Sequence, residues 1–328
     1  MKVGIIGAGH IAVKMANTLN LMRGTGGGPV EAYGIASRDL ARAEVFAEKN
    51  RVQRAFGSYE ALLEDPAVDL VYVAVPHSHH YPVMKLCLGY GKNILCEKPF
   101  TINAAQAREI LDGAREKKIF VAEALWSRYL PMRKILEKVL ASGLIGKVTA
   151  VTANLCYVGV GRERYVKREL AGGALLDLGV YPLSFALLVL GTGVKEISSH
   201  VTLFDTGVDA QSFTSLIYPN GAIASIYTSM INGGDKRGMI YGDKGYIEYP
   251  NTGNCSLFHV YDSDGQLVSS HYAPKQLTGF EYQVESCRRS IEAGLTEPPE
   301  IPHAETIRTM EIMDDIRRLW GMKYPEEE

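Results

Sequence analysis

Through the first third of the chain, short apolar runs alternate with stretches whose apolar positions follow helical spacing. The runs are Val3 to Ile6, Ala32 to Ala36, Leu70 to Val75, Asn93 to Cys96 and Ile119 to Ala122. Between them the spacing predicts helices over His10 to Met22, Leu40 to Lys49, Tyr81 to Tyr90 and Ala104 to Arg115. Asn103 with Gln106 three residues on makes a capping-box pattern for the last of these. Alternation of this kind predicts βα units wound into a parallel sheet. The segment Arg23 to Pro29 reads as a flexible loop.

Beyond Ala122 the pattern changes. One helix is predicted over Pro131 to Leu140, and then strands dominate: Lys147 to Tyr157, Glu196 to Phe204, Ser212 to Tyr218, Ala222 to Ile231, Met239 to Tyr249 and Ser256 to Tyr261. Asn220-Gly221 and Asp264-Gly265 are hairpin turns, so neighbouring strands pair antiparallel. A closing helix is predicted from Ala304 to Leu319. The expected fold is α/β: a Rossmann doubly wound parallel sheet over residues 1–122, then an α+β domain with a large, mostly antiparallel open sheet over 123–328.

Composition narrows the function. The chain has 328 residues, 46% of them hydrophobic, and 35 Lys and Arg balance 37 Asp and Glu. A net charge of -2 offers no footprint for nucleic acid or an anionic membrane. The five cysteines are scattered and odd in number, which suits a reducing cytoplasm better than a disulfide framework. Val3 already opens an apolar strand, without a basic stretch and h-region before it, so secretion is not expected. One run, Ala174 to Gly191, has the length of a membrane span, but Asp177, Gly179 and Pro182 interrupt it and it reads as a buried helix.

The first strand ends in "GIIGAGHIA", where Gly7, Gly9 and Ala12 form a G-x-G-x-x-A fingerprint between a strand and a helix. Gly7 permits the tight turn, Gly9 lets the backbone approach a pyrophosphate, Ala12 keeps helix and strand close, and the helix start at His10 and Ile11 offers amides to the anion. The second strand runs into "GIASRD". Where an NAD-binding protein carries an acid for the ribose 2'-hydroxyl, this chain offers Ser37 and Arg38, which suit a 2'-phosphate, although Asp39 follows. NADP is therefore expected over NAD.

In "LCEKPF" a carboxylate, an ammonium and a proline follow an apolar strand at the ligand edge of a doubly wound sheet. Charged residues and proline end strands everywhere, but here Lys98 leaves the core beside the expected nicotinamide. A lysine there, partly desolvated and near a positive ring, is suited to trading a proton with an alcohol or carbonyl; Glu97 would orient it and Pro99 fix the exit. Asp177 and Tyr181 are spaced i and i+4, on one helical face, with Pro182 disturbing that helix. Their bland reading is a paired core acid and a packing ring.

"GAGHIA", "CEKP" and "GGALLDLGVYP" together resemble the glucose-fructose oxidoreductase and inositol dehydrogenase family, over essentially the whole chain. "ASRD", "LCEKP" and "EALWSRYLP" resemble its branch of dimeric dihydrodiol dehydrogenases and NADP-dependent D-xylose dehydrogenases. The resemblance implies that Lys98 acts in proton transfer, that Asp177 and Tyr181 complete the catalytic set, and that Glu97 and Lys98 also border the cofactor. It implies that the loop "VPHSHHYP" borders nicotinamide and substrate, with Pro76 toward the cofactor and His79 and His80 toward the substrate. His80 matches the family's histidine position, while His77 and His79 depart from its usual residues.

Three histidines invite a metal, yet no acid or thiol accompanies them and hydride transfer needs none, so no metal is expected. Trp126 and Arg128 match the family's substrate-facing segment; the bland role of Trp126 is to seal a domain junction. The loop "GRERYVKREL" reads as charged surface, and Arg162 or Arg164 is left open as a visitor to the site. The expected function is an NADP-dependent oxidoreductase acting on a sugar, polyol or cyclic trans-diol. The alternatives are a reductase of a sugar-derived dicarbonyl and a non-catalytic dinucleotide sensor of the same fold. The resemblance further implies a homodimer paired through the second sheet.

Overall fold

A computed structural model describes residues 1–24 and 30–328. The segment 25–29, most of the loop expected over 23–29, lies outside the described residues. The chain forms two compact units, one of Met1–Trp126 with Gln276–Thr306, the other of Ser127–Lys275 with Ile307–Glu328.

The first unit alternates β1 (Lys2–Ile6), α1 (His10–Gly24), β2 (Glu31–Ala36), α2 (Leu40–Asn50), β3 (Arg54–Phe56), α3 (Tyr59–Leu63), β4 (Leu70–Val73), α4 (His80–Gly89), β5 (Asn93–Glu97), α5 (Ala104–Lys117) and β6 (Val121–Ala124). Its six strands are all parallel in the order β3-β2-β1-β4-β5-β6, the doubly wound arrangement expected. Both faces are covered, so β4 and β6 are buried along their whole length, and β4 reads as a continuous apolar run. The short β3 and α3 were not expected. A three-residue strand with one buried side chain, Phe56, leaves too little pattern to read.

The second unit opens with α6 (Pro131–Ala141), whose proline sits in the first turn where its missing amide costs nothing. Next come β7 (Val148–Cys156), α7 (Glu163–Val166), α8 (Val180–Leu190), β8 (Glu196–Leu203), β9 (Asp209–Ile217), β10 (Ile223–Ser229), β11 (Gly238–Gly242), β12 (Gly245–Tyr249), β13 (Leu257–Asp262) and β14 (Leu267–Tyr272). The eight strands form one sheet in the order β14-β13-β12-β11-β7-β10-β9-β8. All neighbours are antiparallel except β7 and β10. The single strand expected over Met239 to Tyr249 is a hairpin, β11 and β12, and β14 extends the sheet beyond the expected strands.

One face of this sheet carries Leu216, Ala224, Ile226, Ile240, Ile247 and Phe258 into the core; the apolar run 174–191 is likewise mostly buried. The other face keeps rings accessible, Phe213 stacked on Tyr227 at 4.3 Å and Tyr246 on Tyr261 at 4.9 Å. The chain then adds α9 (Glu281–Glu292) to the first unit, where Phe280, Val284 and Cys287 join the cluster of Met15 and Leu19. Last comes α10 (His303–Leu319), close to its expected bounds.

Candidate active site

The loop after β1 has the shape the fingerprint demands. Gly7 adopts φ +102°, and a Cβ there would lie 2.5 Å from the Ala74 carbonyl oxygen, so only glycine fits. Its amide donates to the Ala36 carbonyl at 3.0 Å. Around Gly9 nothing comes within 4 Å of the place a Cβ would take, which leaves the open backbone approach a pyrophosphate needs. Ala12 is buried against the sheet, Ile11 half-buried, and His10 exposed at the first turn of α1. These residues fit a dinucleotide.

At the end of β2, Asp39 is the N-cap of α2, accepting the Arg42 amide at 3.3 Å. Its carboxylate is occupied with the helix start. Ser37 is buried, its hydroxyl accepting the Asp39 amide at 3.4 Å, and Arg38 is exposed beside it. Arg42, which sequence reasoning missed, reaches back to donate to the Ala8 carbonyl at 3.2 Å and brings a second guanidinium to the fingerprint loop. The signal was its place four residues after Arg38, one turn along α2.

β5 ends by turning Glu97 inward, where the fully buried Tyr72 hydroxyl donates to its carboxylate. Lys98 follows half-buried, joined to Pro99 by a cis peptide. Strands β1 and β5 run parallel, so the glycine loop and Lys98 emerge at the same carboxyl edge of the sheet. Pro76 is exposed in the loop that leaves this edge after β4, as is His79, whose Nδ1 meets the Ser78 hydroxyl at 3.0 Å.

His80 behaves differently from the substrate contact expected of it. It is fully buried, with Nδ1 2.8 Å from the Pro99 carbonyl and Nε2 3.0 Å from the Val75 carbonyl. Burial, reinforced by the neighbouring His77, pushes its pKa down to about 3. The neutral ring carries one N–H, so it donates to one of the two carbonyls and sits between the two loops that flank Lys98.

Trp126 is half-buried and stacked on Phe280, ring centres 4.6 Å apart. Arg128, expected toward substrate, is instead buried in the second unit, its Nη1 3.4 Å from both the backbone and side-chain oxygens of Ser184 on α8.

Asp177 lies in a π-helical turn, Leu175–Gly179, that runs directly into α8. Such turns carry one extra residue per coil and cluster at functional sites. The turn begins after Gly172 and Gly173, and Gly173 has φ +113°. The irregularity expected at Tyr181 from Pro182 thus falls before Tyr181, which begins the regular helix with Val180. Asp177 is almost wholly buried, its Oδ1 3.3 Å from Nη1 of Arg164, which also donates to the Tyr165 hydroxyl at 2.6 Å and covers that ring. Of the two arginines left open, Arg164 is the one that pairs with Asp177. Tyr181 is half-buried against the cluster of Leu155, Ala174, Leu178 and Met230, on which Tyr165 also packs. Among the described residues no group of three or more His, Cys, Asp or Glu is placed to hold a metal.

Residues 1–124 match the model of the oxidoreductase family GFO_IDH_MocA with its NAD-binding Rossmann fold, and residues 134–248 match the C-terminal domain model of the same family. A trans-1,2-dihydrobenzene-1,2-diol dehydrogenase of Danio rerio is 32% identical over 336 residues, covering 100% of this chain and 99% of that one. The Homo sapiens enzyme of that name is 31% identical over 307 residues, 90% of this chain and 91% of its own. A 3-ketoreductase from Actinomadura kijaniata, solved with NADP and TDP-benzene, superposes with a TM-score of 0.85 at 26% identity, covering 97% of each chain. A levoglucosan dehydrogenase solved with NADH and levoglucosan gives 0.87 at 17% identity over 99% of each chain, a likeness of fold alone.

Proposed function

The chain belongs to the GFO/IDH/MocA oxidoreductase family, and from that premise we propose that it is an NADP-dependent enzyme moving a hydride between nicotinamide and a CH-OH carbon of a sugar, polyol or cyclic trans-diol. The observation that carries the reading is Lys98, half-buried at the carboxyl edge of the sheet where the Gly7–Ala12 loop opens, with Glu97 tied to Tyr72 before it and Pro99 tied to His80 after it. NADP supplies a hydride acceptor or donor at its nicotinamide C4; the rest is proton handling by the chain.

In the oxidising direction Lys98 Nζ takes the proton from the substrate hydroxyl oxygen as the C-H bond breaks, and in reduction it returns that proton. The Asp177 carboxylate accepts a hydrogen bond from a hydroxyl of the substrate and fixes which carbon is presented. The Tyr181 hydroxyl is the partner through which that proton is relayed. Trp126, stacked on Phe280, offers an apolar ring face to a sugar or diol. His79 is exposed on the loop after β4 as a further substrate contact, and Pro76 lies toward the cofactor.

NADP rather than NAD follows from Ser37 and Arg38, with Asp39 committed to its cap and Arg42 close by. The accessible aromatic face of the second sheet supports a homodimer, since exposed apolar patches of this kind mark interfaces. Five free, buried cysteines suit a reducing cytoplasm.

The test is absorbance at the NADPH band with trans-1,2-dihydrobenzene-1,2-diol, D-xylose, other aldoses, polyols and dicarbonyls, with NADP and NAD in both directions. Turnover with NADP on a diol or sugar is expected. Tight NADPH binding with no turnover on any member contradicts the proposal.

A further inference from the structure

The turn that carries Asp177 is held by two buried side chains for which the proposed chemistry has no use. The first is Asp209, the opening residue of β9, fully buried. Its Oδ2 accepts the amide of Leu175, the first residue of the π-helical turn, at 2.6 Å. The turn has no side-chain cap from the residue before it, so this carboxylate from another strand takes that place. The other oxygen, Oδ1, lies where a Cβ on Gly173 would come within 2.1 Å, which leaves glycine as the one residue that fits beside it. Burial pushes the Asp209 carboxyl up to about 6, partly offset by the Leu175 amide, so holding an acid here has a cost.

The second is Tyr324, also fully buried, whose hydroxyl donates to the Gly172 carbonyl at 2.6 Å. Arg317 covers its ring at 4.9 Å and is itself fixed by Glu327 at 2.6 Å and Asp314 at 2.8 Å. Arg168, four residues before Gly172, donates to the Lys323 carbonyl at 2.8 Å. The two glycines that enter the turn are thus pinned from both sides.

Leu175, Leu176 and Leu178 are all buried, and a slip by one residue would put Asp177 where one of these leucines now packs. One residue of slip rotates a helical side chain by about 100° and would carry Asp177 off its present bearing.

We propose that Asp209 and Tyr324 are positioning residues, a buried latch that keeps residues 173–179 in the π-helical register and so sets where Asp177 presents its carboxylate. The proposal rests on the reading of Asp177 as the substrate-orienting acid.

Tyr324→Phe keeps the ring and deletes one hydrogen bond, so folding survives. With NADP and trans-1,2-dihydrobenzene-1,2-diol it is expected to lower kcat about fivefold, the worth of one hydrogen bond, with the NADPH Kd unchanged. Amide exchange at 173–179 should quicken by a similar factor, while peptides of β1 and α1 exchange as before. Asp209→Asn retains an acceptor for the Leu175 amide and should stay closer to normal than Asp209→Ala.

In an Asp177→Asn background Tyr324→Phe should have no further effect on kcat, because the latch acts through Asp177. The same fivefold loss repeated there, or unchanged exchange at 173–179, overturns the latch. Normal turnover by Asp177→Asn alone would instead sink the reading of Asp177, and the latch is then judged on the exchange result.

Discussion

The loop after β1 and the turn that carries Asp177 are both short, glycine-bearing entries to a helix, yet they are held in different ways. The first is held chiefly by backbone, with Gly7 at φ +102°, its amide on the Ala36 carbonyl and the Ala74 amide on the Ile6 carbonyl, and takes one side-chain contact, Arg42 on the Ala8 carbonyl. The second is pinned by side chains from distant segments, Asp209 on β9 and Tyr324, which lies 152 residues from the carbonyl it holds. A site held by backbone geometry writes itself into consecutive residues. One held by side chains from elsewhere does not, and substitutions far along the chain should then act on it.

The largest effect expected from this contrast is at Gly7. Gly7→Val places a branched side chain at positive φ and against the Ala74 carbonyl, costing about 3 kcal/mol or more. Calorimetry should show the loss of stability, and fluorescence titration the loss of NADPH binding. A variant that binds NADPH normally would break the claim that this loop is fixed by its glycine.

His80 sharpens the comparison, because it joins two loops by side chain within the first unit. Its folded pKa of about 3 lies below the ordinary 6.5, so its contribution is present above 6.5 and is lost as pH falls toward 3. Over that window His80 should contribute a slope of about 1.4 kcal/mol per pH unit. Denaturant unfolding of wild type and His80→Gln across pH 4 to 7 checks this: the acid slope should flatten in the variant.

Next comes the cofactor's ribose end. Arg38→Ala is expected to weaken NADP binding about tenfold and leave NAD binding unchanged, as titration with both cofactors would show. Equal losses for both would return Arg38 to the role of a plain surface residue.

The smallest effect belongs to Arg164. Arg164 is half-exposed although the carboxylate it meets is buried, so Arg164→Ala should cost on the order of 1 kcal/mol in thermal melts and raise KM only a few-fold.

The same contrast explains what was legible beforehand. The parallel sheet, the fingerprint and the Glu97-Lys98-Pro99 exit could be read because each is spelled by adjacent residues with a period or a spacing. Asp177 and Tyr181 were legible as a pair, but the π-helical turn between them was not, since its cause lies in Asp209 and Tyr324. His80 and Arg128 were placed toward substrate by motif alone; their folded neighbours, two carbonyls and Ser184, come from distant segments and leave no mark in that motif. Segment 276–306 gave no sign that it packs with the first unit, because an amphipathic helix such as α9 does not say which core it covers. Arg42 escaped because its one signal, the four-residue spacing from Arg38, is shared by many surface arginines.

The central claim is that Lys98 moves the proton while a separately built loop holds NADP. The measurement that tests it most directly is Lys98→Met, assayed for turnover at the NADPH band and titrated with NADPH on the same preparation. The account predicts turnover reduced about a thousandfold with NADPH binding within about twofold of wild type. Near-normal turnover would contradict it.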